Sequence, residues 1–178
     1  MALANREERA QDALTIYNAL PEEVKNEKAI QVLRYSATQK LNDDAKYLEA
    51  IQDFARSFPG DPACDFLLID GYILMKQPEK SLGCIDRLRK VLGDDAYLKV
   101  LRGNLLMLLM RLDDANTEFR AAIAEEPDLR PAYDGLLNAA VEQKRFGTVT
   151  EMLEALESQF DEKINDLSEI SEFKEFLD

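Results

Sequence analysis

The chain has 178 residues, 22 basic and 35 acidic side chains, a net charge of −13 and no histidine. Its length suits one domain of about 100–200 residues, and its negative field repels phosphate backbones and anionic lipid surfaces, which argues against nucleic acid and membrane as partners. Without imidazole there is no Ser-His-Asp triad, Cys-His dyad or HExxH zinc site, and the two cysteines, Cys64 and Cys84, lie twenty residues apart and read as small core residues.

Apolar residues recur at helical spacing with no sustained strand-like alternation, so the pattern predicts an all-α fold. The N-terminal MALANREERAQDAL has no apolar run behind a basic stretch, which predicts no leader and a cytoplasmic chain. The first helix is expected at 5–19, before Pro21. Helices at 25–41 and 44–57 follow, separated by Asn42-Asp43-Asp44, and Pro59-Gly60-Asp61-Pro62 closes the second of them. Next come 62–76 and 79–92, broken at Gln77-Pro78 and ended by Gly93-Asp94-Asp95. The helix at 95–110 contains most of the longest apolar run, Val100 to Leu112. Arg102, Gly103, Asn104 and Arg111 interrupt that run, which falls short of the roughly 20 residues of a membrane span. Helices at 113–125, 130–143, 146–159 and 167–177 complete the set. Asp61, Asp95, Asp113 and Asp128 are expected to cap the helices that follow them, with Pro131 tolerated in a first turn.

The chain also repeats itself. Ala50-x3-Phe54-x7-Pro62 returns as Ala115-x3-Phe119-x7-Pro127, and Cys84 and Val149 stand in comparable places, giving anchors at steps of 34, 31 and 34. Ala13, with Tyr17 and Leu20, lies a further 37 upstream, and the step of 31 predicts a shortened loop around Gly93-Asp94-Asp95. The period, the small residue, the aromatic four later and the closing proline resemble the tetratricopeptide repeat (TPR), a pair of antiparallel helices of about 34 residues.

That resemblance implies an all-α right-handed superhelix of helix pairs, with repeats at 25–60, 61–93, 94–127 and 128–160. A half repeat, helix B only, would occupy 1–22, and a capping segment 161–178. Gly103, twelve residues before Ala115, takes the place where the family's glycine faces its alanine. The chain departs from the family in having no Trp, and the aromatic position early in helix A falls to Arg34, Leu68, Lys99 and Tyr133. An array beginning with half a hairpin leads one to expect either an atypical cap or a natural chain that continues upstream.

Ligands of the resembled family lie in the concave groove of the A helices. Carried over, the groove takes Val32, Tyr35, Ser36, Gln39 and Asn42, then Phe66, Ile69, Ile73 and Lys76, then Tyr97, Val100, Leu101, Asn104 and Met107, and last Asp134, Asn138 and Val141. The candidate contacts among them are Tyr35, Gln39, Asn42, Phe66, Ile73, Lys76, Tyr97, Asn104, Met107, Asp134 and Asn138. Amides there can bracket a peptide backbone, and Tyr and Met offer adaptable contact area. Val100, Leu101, Ile69 and Ile73 equally suit a packed interior. The lysine, asparagine and arginine set that clamps a C-terminal carboxylate in the family is missing.

The acidic pairs stand at helix starts, where carboxylates serve as caps, and no calcium loop, P-loop or dinucleotide motif is present, so no catalysis, metal or cofactor is implied. The expected function is a non-enzymatic interaction scaffold for a neutral or basic peptide. The alternative is an assembly module whose first helix docks on upstream repeats or on a second copy, as in a homodimer, with no peptide ligand.

Overall fold

The computed structural model describes residues 2–41 and 43–160, which form ten helices and no strand. They are α1 (Ala2–Ala19), α2 (Glu22–Lys25), α3 (Lys28–Gln39), α4 (Asp44–Ser57), α5 (Pro62–Leu74), α6 (Pro78–Leu92), α7 (Ala96–Leu108), α8 (Leu112–Glu125), α9 (Arg130–Glu142) and α10 (Phe146–Phe160). The helix expected at 167–177 and the cap at 161–178 lie outside the described residues. The helix expected at 25–41 is found as α3, which starts only at Lys28, and a separate single turn, α2, precedes it. Glu27, extended at φ −71° and ψ 135°, separates the two. Val24 is the only apolar side chain between Glu22 and Lys28, too little to support a continuous apolar stripe.

From α3 onward the helices alternate as A and B members of hairpins in an unbroken period. The A helices start at 28, 62, 96 and 130, and the B helices at 44, 78, 112 and 146, every step being 34. The repeat around Gly93-Asp94-Asp95 therefore keeps its full 34 residues, its loop being one residue shorter than those at 58–61 and 126–129 only because α6 runs one residue longer, and two sequence anchors are out of register. Residues equivalent to Ala115 and Val149 are Ala13, Tyr47 and Ser81, three places before Ala50 and Cys84. The slip arises because i and i+3 share a helix face: Tyr47, Ala50, Ser81 and Cys84 are all buried, so either choice continues an apolar stripe. The position assigned to Arg34 and Leu68 moves likewise to Gln31 and Asp65.

Each A helix from α5 on ends in the same way. Lys76, Met110 and Lys144 have φ of 58°, 58° and 55°. The amides of Gln77, Arg111 and Arg145 reach back to the carbonyls of Tyr72, Leu106 and Ala140, each at 2.8 Å. This is the Schellman closure, here without glycine at its left-handed residue. Capping by Asp61 and Asp95 occurs as expected, on the amides of Ala63 and Leu98, and Asp43 caps α4 through Lys46. Asp113 and Asp128 do not cap. Helix α8 starts at Leu112, so Asp113 lies inside its first turn, where it accepts from Gln143 and Arg145. Helix α9 starts at Arg130, so Leu129 fills the cap position.

The described residues gather into two compact units, divided between Gly93 and Asp94. In the first, α1 packs on α3, α3 on α4, α4 on α5 and α5 on α6, around Ala50, Ile51, Phe54, Cys84, Ile85 and Leu88. In the second, α7 lies against both α8 and α9, and α9 against α8 and α10. Its core is built on Phe119. A Cβ on Gly103 would stand 2.5 Å from that ring, and one on Gly135 would meet the same ring. Gly103 thus makes its closest approach to Phe119 rather than to Ala115, and the ring fills the space two glycines leave open on α7 and α9.

Candidate protein-binding surface

In the first unit, Phe66, Asp70 and Ile73 recur at i, i+4 and i+7 and so share one face of α5, while Val32, Ser36 and Gln39 share one face of α3. Phe66 is 39% exposed, and Val32, Ile73, Gln39 and Lys76 are also exposed. Ile69 is buried, and Asn42 lies outside the described residues.

A polar chain ties the hairpins together behind these side chains. Tyr47 donates from its hydroxyl to Asp70 Oδ2 at 2.9 Å. With that proton committed, Tyr35 donates in turn to the Tyr47 oxygen at 2.8 Å, and Gln39 adds a longer bond to it at 3.4 Å. Burial pushes both phenols above the usual tyrosine range, and the bonds to Tyr35 and Asp70 push Tyr47 further. Both therefore stay protonated, so the chain of donors points at the Asp70 carboxylate. Among the described residues Asp70 has no cationic partner. The sequence reading passed over Asp70, although its i+4 spacing from Phe66 could have placed it on the stripe.

The second unit presents Tyr97, 57% exposed, with Asn104 and Asn138 exposed and Met107 half-buried. Asp134 is half-buried and pairs with Arg130 at 3.4 Å. Val100, 3% exposed, belongs to the core, while Leu101 and Val141 are half-buried. One 34-residue step relates Ser36, Asp70, Asn104 and Asn138, so small polar side chains recur at one place on every A helix.

Both cysteines are buried free thiols. Burial pushes Cys84 up to about 11, against the opposing pull of Arg87, and pushes Cys64 up as well. Neither is poised for nucleophilic chemistry. Among the described residues no three metal-ligating side chains come together, and no helix is long and apolar enough to cross a membrane. A cavity of about 710 Å³ opens between α1 and α3.

No protein-family profile matches the chain, and no curated protein is similar to it in sequence. Solved structures are similar in fold. YrrB, described as a TPR protein with an unusual peptide-binding site, aligns at a TM-score of 0.67 with 15% identity, over 88% of this chain and 81% of its own. A double mutant of MamA from RS-1 aligns at 0.72 with 15% identity, over 93% and 96%. The TPR2AB domain of yeast Sti1, solved in complex with pHSP90, aligns at 0.51 with 18% identity, over 97% and 83%.

Proposed function

Since the chain carries the tetratricopeptide-repeat fold, we propose that it is a non-enzymatic protein-interaction module that binds a partner segment, extended and basic, along the exposed faces of α3 and α5. The observation that carries this reading is the pairing, on α3 and α5, of exposed Val32, Phe66 and Ile73 with a carboxylate, Asp70, held by a tyrosine and without a cation among the described residues. The apolar side chains supply area to desolvate, and Asp70 supplies an acceptor for an incoming ammonium or guanidinium. Two of the structural neighbours support the reading, one by the peptide-binding site its description names and one by its complex with pHSP90. The net charge of −13 would speed encounter with a basic partner more than it would deepen affinity.

Selection of a displayed random-peptide library on the chain, followed by affinity measurement on the recovered peptides, tests this. A consensus with at least one Lys or Arg among apolar residues is expected, and Asp70→Asn should weaken it by about 10–100-fold, the range of a charge-assisted hydrogen bond. Recovery of no consensus, or equal affinity for Asp70→Asn, would overturn the reading.

A further inference from the structure

The cavity between α1 and α3 differs in character from the A-helix faces. Its twelve lining residues include Arg9, Arg34 and Lys40 and no acid, in a chain whose acids outnumber its bases 35 to 22. Arg34 is held by Asp53 at 2.5 Å, while Arg9 and Lys40 have no ion-pair partner among the described residues. The floor is apolar, and Ile16 and Leu33 on it are 65% and 63% exposed. Exposure of large aliphatic side chains around a cavity of this size marks a docking surface.

The repeat register says what shape fits there. One step of 34 back from Tyr47, Ile51 and Phe54 reaches Ala13, Tyr17 and Leu20, so α1 stands in the place of a B helix. Helix α3 is the next A helix, and the pair α1 and α3 therefore correspond to α8 and α9. In the second unit the helix that lies against both α8 and α9 is α7, the A helix of that hairpin. By this equivalence the groove between α1 and α3 is the seat of an A helix.

The same chain carries a sequence of that type. One step of 34 beyond Arg130 reaches Ile164, and Leu167, Ile170 and Phe173 then fall at the places of Tyr133, Leu136 and Ala139, all buried in α9. Ser171, a small residue, falls where Gly103 stands in α7. Residues 161–178 hold seven acidic and two basic side chains, opposite in sign to the groove's rim.

We propose that residues 161–178 of one copy dock in the α1–α3 groove of the next, the acidic A-type segment and the unpaired B helix completing one repeat across the junction. Such a contact is heterologous, so each added copy presents a fresh groove and a fresh segment, and assembly is open-ended unless the rotation closes a ring.

The test uses the whole chain and two variants, Leu33→Asp in the groove and Phe173→Asp in the segment, with circular dichroism to verify that both keep the parent's helicity. Light scattering over a concentration series should show the parent growing beyond its 20.2 kDa monomer past the dimer, while each variant alone stays monomeric. An equimolar mixture of the two variants retains one intact groove and one intact segment, and should form a dimer and stop there. Raising salt should weaken that dimer, since rim charges contribute to it. A parent monomeric at every concentration, as when the groove seats some other segment or peptide, overturns the proposal. So does a mixture that remains monomeric, or a variant that associates as the parent does.

Discussion

At the scale of single residues, the second unit depends on an aromatic ring placed against two backbones. Phe119 is fully buried, and its ring occupies the ground where Gly103 and Gly135 lack a Cβ. Gly→Ala within a helix ordinarily gains up to about 1 kcal/mol in propensity. Here the added methyl must displace the ring or the helix, and overpacking of this kind costs about 1–3 kcal/mol. Gly103→Ala and Gly135→Ala should therefore each lower the urea midpoint of unfolding, against the propensity trend, whereas Gly83→Ala, whose nearest neighbour is the flexible end of Arg87 at 3.7 Å, should not. The sequence showed half of this arrangement. Phe119 and Gly103 were legible as repeat residues, but Gly135 breaks no pattern visible along the chain and takes its meaning only from the ring of the preceding hairpin. Asp70 and Tyr47 escaped for a related reason, because a tyrosine stands where the repeat expects a small residue and brings a carboxylate into its hydrogen-bond chain.

At the scale of elements, helix boundaries followed from the sequence to within a residue or two for most helices, since proline, glycine and aspartate punctuate them. The register within the B helices did not, because Ala50 and Cys84 sit one turn from the equivalent Tyr47 and Ser81 on the same buried face. The ends of the A helices were hidden too. Lys76, Met110 and Lys144 carry side chains in the left-handed region, where an L-residue pays about 1–2 kcal/mol of steric cost. Closure across three hairpins holds them there, with bonds from their own amides to Ile73, Met107 and Val141 at 2.9 Å each. Glycine relieves that cost while leaving the bonds in place, partly offset by its looser unfolded chain. Lys76→Gly and Met110→Gly should each stabilise by about 0.5–1 kcal/mol, read as a rise in the thermal midpoint. A fall would mean that the side chain at that turn makes a contact worth more than the strain.

At the scale of the whole molecule, the excess of acid and the paired carboxylates act on stability in opposite senses as pH falls, and the two can be separated. From neutrality down to the isoelectric point near 4.5 the net charge shrinks, which relieves self-repulsion. Below that, carboxylates that depend on their ionised form begin to protonate. Asp61 is held below the usual carboxylate range by the bond from Lys28 and the amide of Ala63, and Asp113 by bonds from Gln143 and by Arg145. Burial pushes Asp53 up, but bonds from Arg34 and Arg56 outweigh it and hold it low as well. Groups with a depressed folded value contribute fully above the unfolded value of about 3.9, and the contribution is lost as pH drops through the folded one. The thermal midpoint should therefore hold or rise slightly between pH 7 and about pH 4.5, then fall steeply below about pH 4. Asp53→Asn should lower the midpoint at pH 7 and flatten the acid limb, because the Arg34 pair that links α3 to α4 and the Arg56 pair within α4 would no longer titrate through Asp53. A midpoint that declines steadily from pH 7 would show instead that the acidic surface is better tolerated by the fold than its net charge implies, and that the stabilising pairs lie elsewhere.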